Sequence, residues 1–121
     1  MPYHAPAYMT MAFAQGQLGL FDESIAAYKQ ATKLHSMYAV DANINIGLLQ
    51  IHQGKFDQAL DSFRKAIAAD SAKTRTAEVR QKLSYALQKL GRSADAQRLL
   101  RGEVNPSEVL RSERPSGMTA P

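Results

Sequence analysis

The sequence predicts an all-α fold, a short array of helix hairpins, on three observations. First, Gly19-Leu20-Phe21-Asp22-Glu23-Ser24-Ile25-Ala26-Ala27-Tyr28-Lys29-Gln30-Ala31 returns as Gly54-Lys55-Phe56-Asp57-Gln58-Ala59-Leu60-Asp61-Ser62-Phe63-Arg64-Lys65-Ala66, with Gly, Phe, Asp and Ala at equal offsets. Second, a fainter copy starts at Gly91, where Ala96 and Leu100 stand at the offsets of Ala59 and Phe63, so the glycine spacing is 35 and then 37 residues, a period typical of helical repeats. Third, apolar and small residues recur at three- and four-residue steps on both sides of each glycine, and no β-rich stretch competes.

Taken in order, the elements are first helices at about 6–17, 39–52 and 75–89 and second helices at about 21–34, 56–69 and 93–101. Gly19, Gly54 and Gly91 fall in the turns, where a residue without a side chain takes positive φ at little steric cost and lets the chain reverse. Ala12, Gly47 and Ser84 share one offset in the first helices, and Ser24, Ala59 and Ala96 share one in the second. Small side chains there allow close approach of the paired helices, with Tyr28, Phe63 and Leu100 filling the space between hairpins. Asn105-Pro106-Ser107-Glu108 reads as a cap followed by a proline-started helix that puts Val109 and Leu110 over the end of the array. The expected organisation is therefore repeats at 5–38, 39–73 and 74–102, a capping helix within 103–113, and a tail at 114–121 without periodicity.

Composition narrows the function. A chain of 121 residues with 45% apolar and 21% charged residues has the balance of one small globular domain. Cysteine is absent, which excludes disulfides, thiolate metal sites and cysteine nucleophiles. No apolar run approaches the ~20 residues of a spanning helix, and the opening Met1-Pro2-Tyr3-His4-Ala5-Pro6 has neither a basic start nor an apolar signal core. A soluble, cytoplasmic protein without membrane insertion is the expectation, and a processed or organellar form fits the same residues. The net charge of +4 belongs to the later part of the chain: within 73–101, Lys73, Arg75, Arg80, Lys82, Lys89, Arg92, Arg98 and Arg101 face only Glu78 and Asp95. Such a cluster either attracts an acidic partner or forms a solvated face.

Tyr8, Met11, Ala12, Ser24, Tyr28 and Ala31 in the first copy, Ile46, Gly47, Ala59, Phe63 and Ala66 in the second, and Leu83, Ser84, Ala96 and Leu100 in the third make the chain similar to the tetratricopeptide repeat family, most completely in the second copy. The chain departs from the family pattern at Ser36 and Ser71, which stand where a proline usually follows the second helix, and at Gln15, Gln50 and Leu87, which occupy a tyrosine site. The resemblance implies a right-handed solenoid of three helix-turn-helix units, a non-enzymatic protein-interaction scaffold, and a concave groove lined by the first helices. Carried onto this chain, groove positions are Phe13, Leu48 and Tyr85, with Met9, Ile44 and Gln81 four residues earlier. Asn45, Lys82, His52 and Lys89 lie around this ladder as hydrogen-bonding or solvated groups.

An apolar ladder on a surface that stacking does not need suits a short peptide or an amphipathic helix; the same spacing also describes ordinary core. The carboxylate clamp of chaperone-binding relatives needs several Lys and Asn donors together. Asn45 and Lys82 match two of its places, but Met9, Phe13 and Glu78 occupy others, so the donor set is incomplete. A second class, nucleic-acid binding through the basic stretch, has the Lys and Arg for phosphate contacts but only Tyr85 for stacking, which makes nucleic acid the disfavoured partner. A purely structural assembly subunit, through self-association or further repeats, is a third. Catalysis has no support: His4, His35 and His52 lack a His or carboxylate at i+4, Ser84 occupies a packing site, and Gly54-Lys55 lacks the first glycine and the Ser or Thr of a phosphate-cradling loop. No cofactor or metal is expected.

Overall fold

The computed structural model describes residues 4–111, which form seven α-helices and no strand. They fall into two compact units divided between Ala69 and Asp70. Unit 1 contains α1 (Ala5–Gln17), α2 (Phe21–Leu34), a 3-10 turn (Ser36–Tyr38), α3 (Ala39–His52) and α4 (Phe56–Ala69). Unit 2 contains α5 (Thr76–Lys89), α6 (Ser93–Leu100) and α7 (Pro106–Arg111). Consecutive helices pair as hairpins, α1 with α2, α3 with α4 and α5 with α6, while α2 packs on α3 and α7 on both α5 and α6. The predicted helices therefore exist, within a residue of the expected bounds.

Each hairpin reverses by the same device. Gly54 sits at φ 77°; its N–H donates to the Ile51 carbonyl at 3.0 Å and the Lys55 N–H to the Gln50 carbonyl at 2.8 Å. These two bonds satisfy carbonyls that the helix end would otherwise leave orphaned, and the left-handed conformation they require suits glycine. The same pair of bonds closes the helix before Gly19 and before Gly91. It recurs at Gly102 after α6, a fourth use that the repeat comparison did not reveal.

Small residues set the spacing of the paired helices. A Cβ built on Gly47 would lie 2.8 Å from Cζ of Phe63, so the end of this α4 ring occupies the space that a side chain on α3 would need. Tyr28 joins Ala12, Ala27, Ala42 and Ile46 in the buried cluster of unit 1, with Tyr8, Met9, Ile25 and Leu49 packed around it. In each hairpin one serine hydroxyl ties the two helices across twelve residues: Ser24 Oγ donates to the Ala12 carbonyl at 2.6 Å, Ser62 Oγ to Gln50 Oε1 at 2.6 Å, and Ser84 Oγ to the Ala96 carbonyl at 3.4 Å. Gln50, a departure from the family's tyrosine, is thus buried with its oxygen satisfied.

Unit 2 differs from expectation at one packing position. Leu100, expected to fill space as Tyr28 and Phe63 do, is 51% exposed, and its neighbour Leu99 is buried instead. α6 is only eight residues long and ends at Leu100, so this side chain stands at a helix terminus rather than in the middle of a packed face. The capping helix forms at Pro106–Arg111, with Val109 and Leu110 buried. Its start is a reciprocal capping box: Asn105 Oδ1 accepts from the Glu108 N–H at 2.8 Å and Glu108 Oε1 from the Asn105 N–H at 3.2 Å. The expected tail, 114–121, lies outside the described residues.

Candidate functional site

The exposed face of α3 in unit 1 is built by spacing. Asn45, Leu48 and His52 recur at three and four residues, so they line one side of the helix. Phe13 of α1, 61% exposed, faces them across a cleft of about 360 Å³ whose wall also includes Gly16, Gln17, Gly19, Phe21, Ser24, Tyr28 and Leu49. Gly16 keeps this wall low, because a Cβ there would lie 3.3 Å from both Leu49 Cδ2 and Ser24 Oγ.

At one end of the cleft Phe21 and His52 stack with ring centroids 5.9 Å apart and planes inclined by 15°. Beside them Gln53 Nε2 donates to Asp22 Oδ1 at 2.8 Å, tying the end of α3 to the start of α2. Deeper in, burial pushes the Tyr28 hydroxyl above its usual range; a hydrogen bond with Asn45 pulls the other way, and the nearby charge of Asp41 adds to the rise. The cleft is thus an apolar surface with amide groups from Gln17 and Asn45 on its wall, and neither Lys nor Arg lines it.

The structure gathers four of the expected site residues here: Phe13, Asn45, Leu48 and His52. Met9 is half-buried against the core cluster, outside the cleft wall. Ile44 leaves the surface set altogether, since it is 2% exposed and belongs to the core; α3 is covered on more sides than one apolar stripe requires, and a stripe alone does not say which side is open. Gln81, Lys82, Tyr85 and Lys89 lie on α5 in unit 2, where Gln81, Tyr85 and Lys89 follow a four-residue step and Lys89 Nζ rests 5.3 Å from the Tyr85 ring centroid. The other seven wall residues were not read as site residues from the sequence: Gly16, Gln17, Gly19, Phe21, Ser24, Tyr28 and Leu49. A signal for Phe21 was present, since Phe56 repeats it, but it served as a mark of the repeat rather than of a surface.

The basic stretch is largely absorbed by its own unit. Arg92 and Asp95, with side chains 4% and 6% exposed, form a buried ion pair at 2.8 Å, and Arg92 Nη2 also donates to the Val109 carbonyl at 3.0 Å. Arg80 Nη1 donates to the carbonyls of Leu99 and Val104, Arg75 pairs with Glu78 at 2.6 Å, Arg98 approaches Asp95 at 3.6 Å, and Arg101 pairs with Glu103. Among the described residues no three His, Cys, Asp or Glu stand together as metal ligands, and Ser84 is buried. No described helix is long and apolar enough to cross a membrane.

No curated protein matches the chain. A family model described as tetratricopeptide repeat matches residues 10–73, more than half of the sequence and all of the cleft wall. With helix hairpins, glycine turns and small-residue crossings in place, the chain belongs to the tetratricopeptide repeat family.

Proposed function

We propose that this chain is a non-enzymatic adaptor that docks a short peptide or amphipathic helix of a partner protein in the cleft between α1 and α3. Repeats of this family are in general protein-interaction modules, and the observation that carries the reading here is the cleft itself: Phe13, Leu48 and Phe21 present apolar surface that the hairpins do not consume in their own packing. An apolar side chain of the partner enters beside Leu48, and the amides of Asn45 and Gln17 meet its backbone. Binding energy comes mainly from apolar burial. The chain's net charge of +4 favours a partner that carries acidic residues, and such charge speeds encounter and makes it salt-sensitive.

The test is affinity capture with the intact chain beside Leu48→Glu, followed by titration of the captured partner's segments. The variant should lose binding while its helix content stays at the parent value; unchanged affinity would reject the cleft. Parallel titration with single-stranded RNA at two salt concentrations separates nucleic-acid binding, which would appear as a steep salt dependence.

A further inference from the structure

α1 has the composition of a helix covered on two sides and the exposure of one covered on one. It carries no charged residue from Ala5 to Gln17, whereas α2, α4 and α5 carry four each. Uncharged helices of this kind are normally buried, and the closest counterpart is α3, 35 residues on, with Asp41 as its single acid or base apart from His52. In α3 the face of Ala42 and Ile46 is buried in the core of unit 1 against Ala27 and Tyr28 of α2. Their counterparts in α1 are Ala7 and Met11. Together with Ala14 and Leu18 they fall within an arc of about 60°, and all four are exposed, Leu18 to 74%.

We infer that this face of α1 docks against the same face of a second copy, antiparallel about a two-fold axis. The size pattern is self-complementary in that orientation: Leu18 meets Ala7 and Met11 meets Ala14, large against small at both steps. Because the face carries no charge, apposing it to itself neither repels nor strands a buried ion. Two helices of this length, ~20 Å each, bury on the order of 500 Å² per copy, less than the ~800 Å² per partner of standard interfaces. The dimer is therefore expected to be weak and concentration-dependent.

Sedimentation equilibrium of the full chain should show the 13.3 kDa monomer giving way to twice that mass as concentration rises. Ala14→Glu and Leu18→Glu, both at exposed places, should each weaken association at least ~10-fold, while Phe13→Glu on the cleft side leaves it unchanged. A single monomeric species up to ~1 mM, or parent-like dimers of both glutamate variants with parent-like helix content, would overturn the inference. Since the chain has no cysteine, introduced thiols report the register directly. Copies carrying Met11→Cys should cross-link with copies carrying Ala14→Cys faster than either does with itself, and the reverse preference would overturn the antiparallel pairing. Peptide binding by Ala14→Glu stays intact in either case, so failure here is distinct from failure of the cleft.

Discussion

One and four residues past the turn glycines, unit 1 places Leu20 with Glu23 and Lys55 with Gln58, all exposed; unit 2 places Arg92 and Asp95, both buried and ion-paired. The turns are alike and the offsets are the same. What differs is the segment that follows: in unit 2 the carbonyl of Val109, on α7, accepts from Arg92, and the short helix carries Val109 and Leu110 into the core. Unit 1 closes its second hairpin with a ring on a glycine, Phe63 over Gly47, and unit 2 closes its end with a guanidinium. The lesson is that a run of basic residues in a repeat protein is not yet a surface. Arg80 and Arg92 act inside unit 2 as donors to backbone carbonyls, which leaves Lys73, Lys82 and Lys89 as the lysines of the 73–101 stretch.

The contrast is sharpest in Arg92→Met. Removing one member of a buried pair leaves Asp95 charged without its main partner, and the cost should be about 3–5 kcal/mol, read as an earlier urea transition. A double replacement with Asp95→Leu should recover most of it. If the single variant is as stable as the parent, the guanidinium is not what closes unit 2. In unit 1 the corresponding probe is steric: Ala59 is buried where α3 and α4 cross, so Ala59→Leu should overpack the contact and cost about 1–3 kcal/mol. Thermal melting followed by circular dichroism checks it.

The smallest effect is in alkaline pH. Tyr28 is buried and its hydroxyl is held above the ordinary value of 10.0, while Tyr85 of unit 2 is exposed. A raised folded-state value means that Tyr28 costs unit 1 nothing below pH 10.0 and removes stability as pH rises beyond it, because the unfolded chain releases that proton first. Tyr28→Phe should flatten this part of the alkaline stability profile. An unchanged slope would place the alkaline loss on another group.

Much of this fold was legible because the repeat is written in residues with narrow physical uses. Glycine at a positive-φ turn, and Ala12, Gly47, Ser24 and Ala59 at the crossings, admit few substitutes, so their recurrence located both the helices and their contacts. Leu100 was misjudged because an offset carries over a position but not its surroundings. The cleft was half legible: the α3 stripe of Asn45, Leu48 and His52 follows from periodicity, but Ile44 is just as apolar and is nevertheless buried, and periodicity alone does not say which stripe stays open. The burial of the basic stretch was not legible: Arg92 and Asp95 stand three residues apart on the chain, but Arg92 is also held by the Val109 carbonyl seventeen residues away.

The serine ties also make the hairpins individual. In the first, the hydroxyl comes from the second helix, at Ser24, and the carbonyl from the first, at Ala12; around Gly91 the roles are exchanged, Ser84 giving and Ala96 receiving. A shuffled hairpin joining α1 to α6 would bring Ala12 to Ala96 with no hydroxyl between them, and one joining α5 to α2 would crowd Ser84 against Ser24. Units that look interchangeable by motif are therefore keyed to their own halves, and gene duplication here would propagate whole hairpins more readily than single helices.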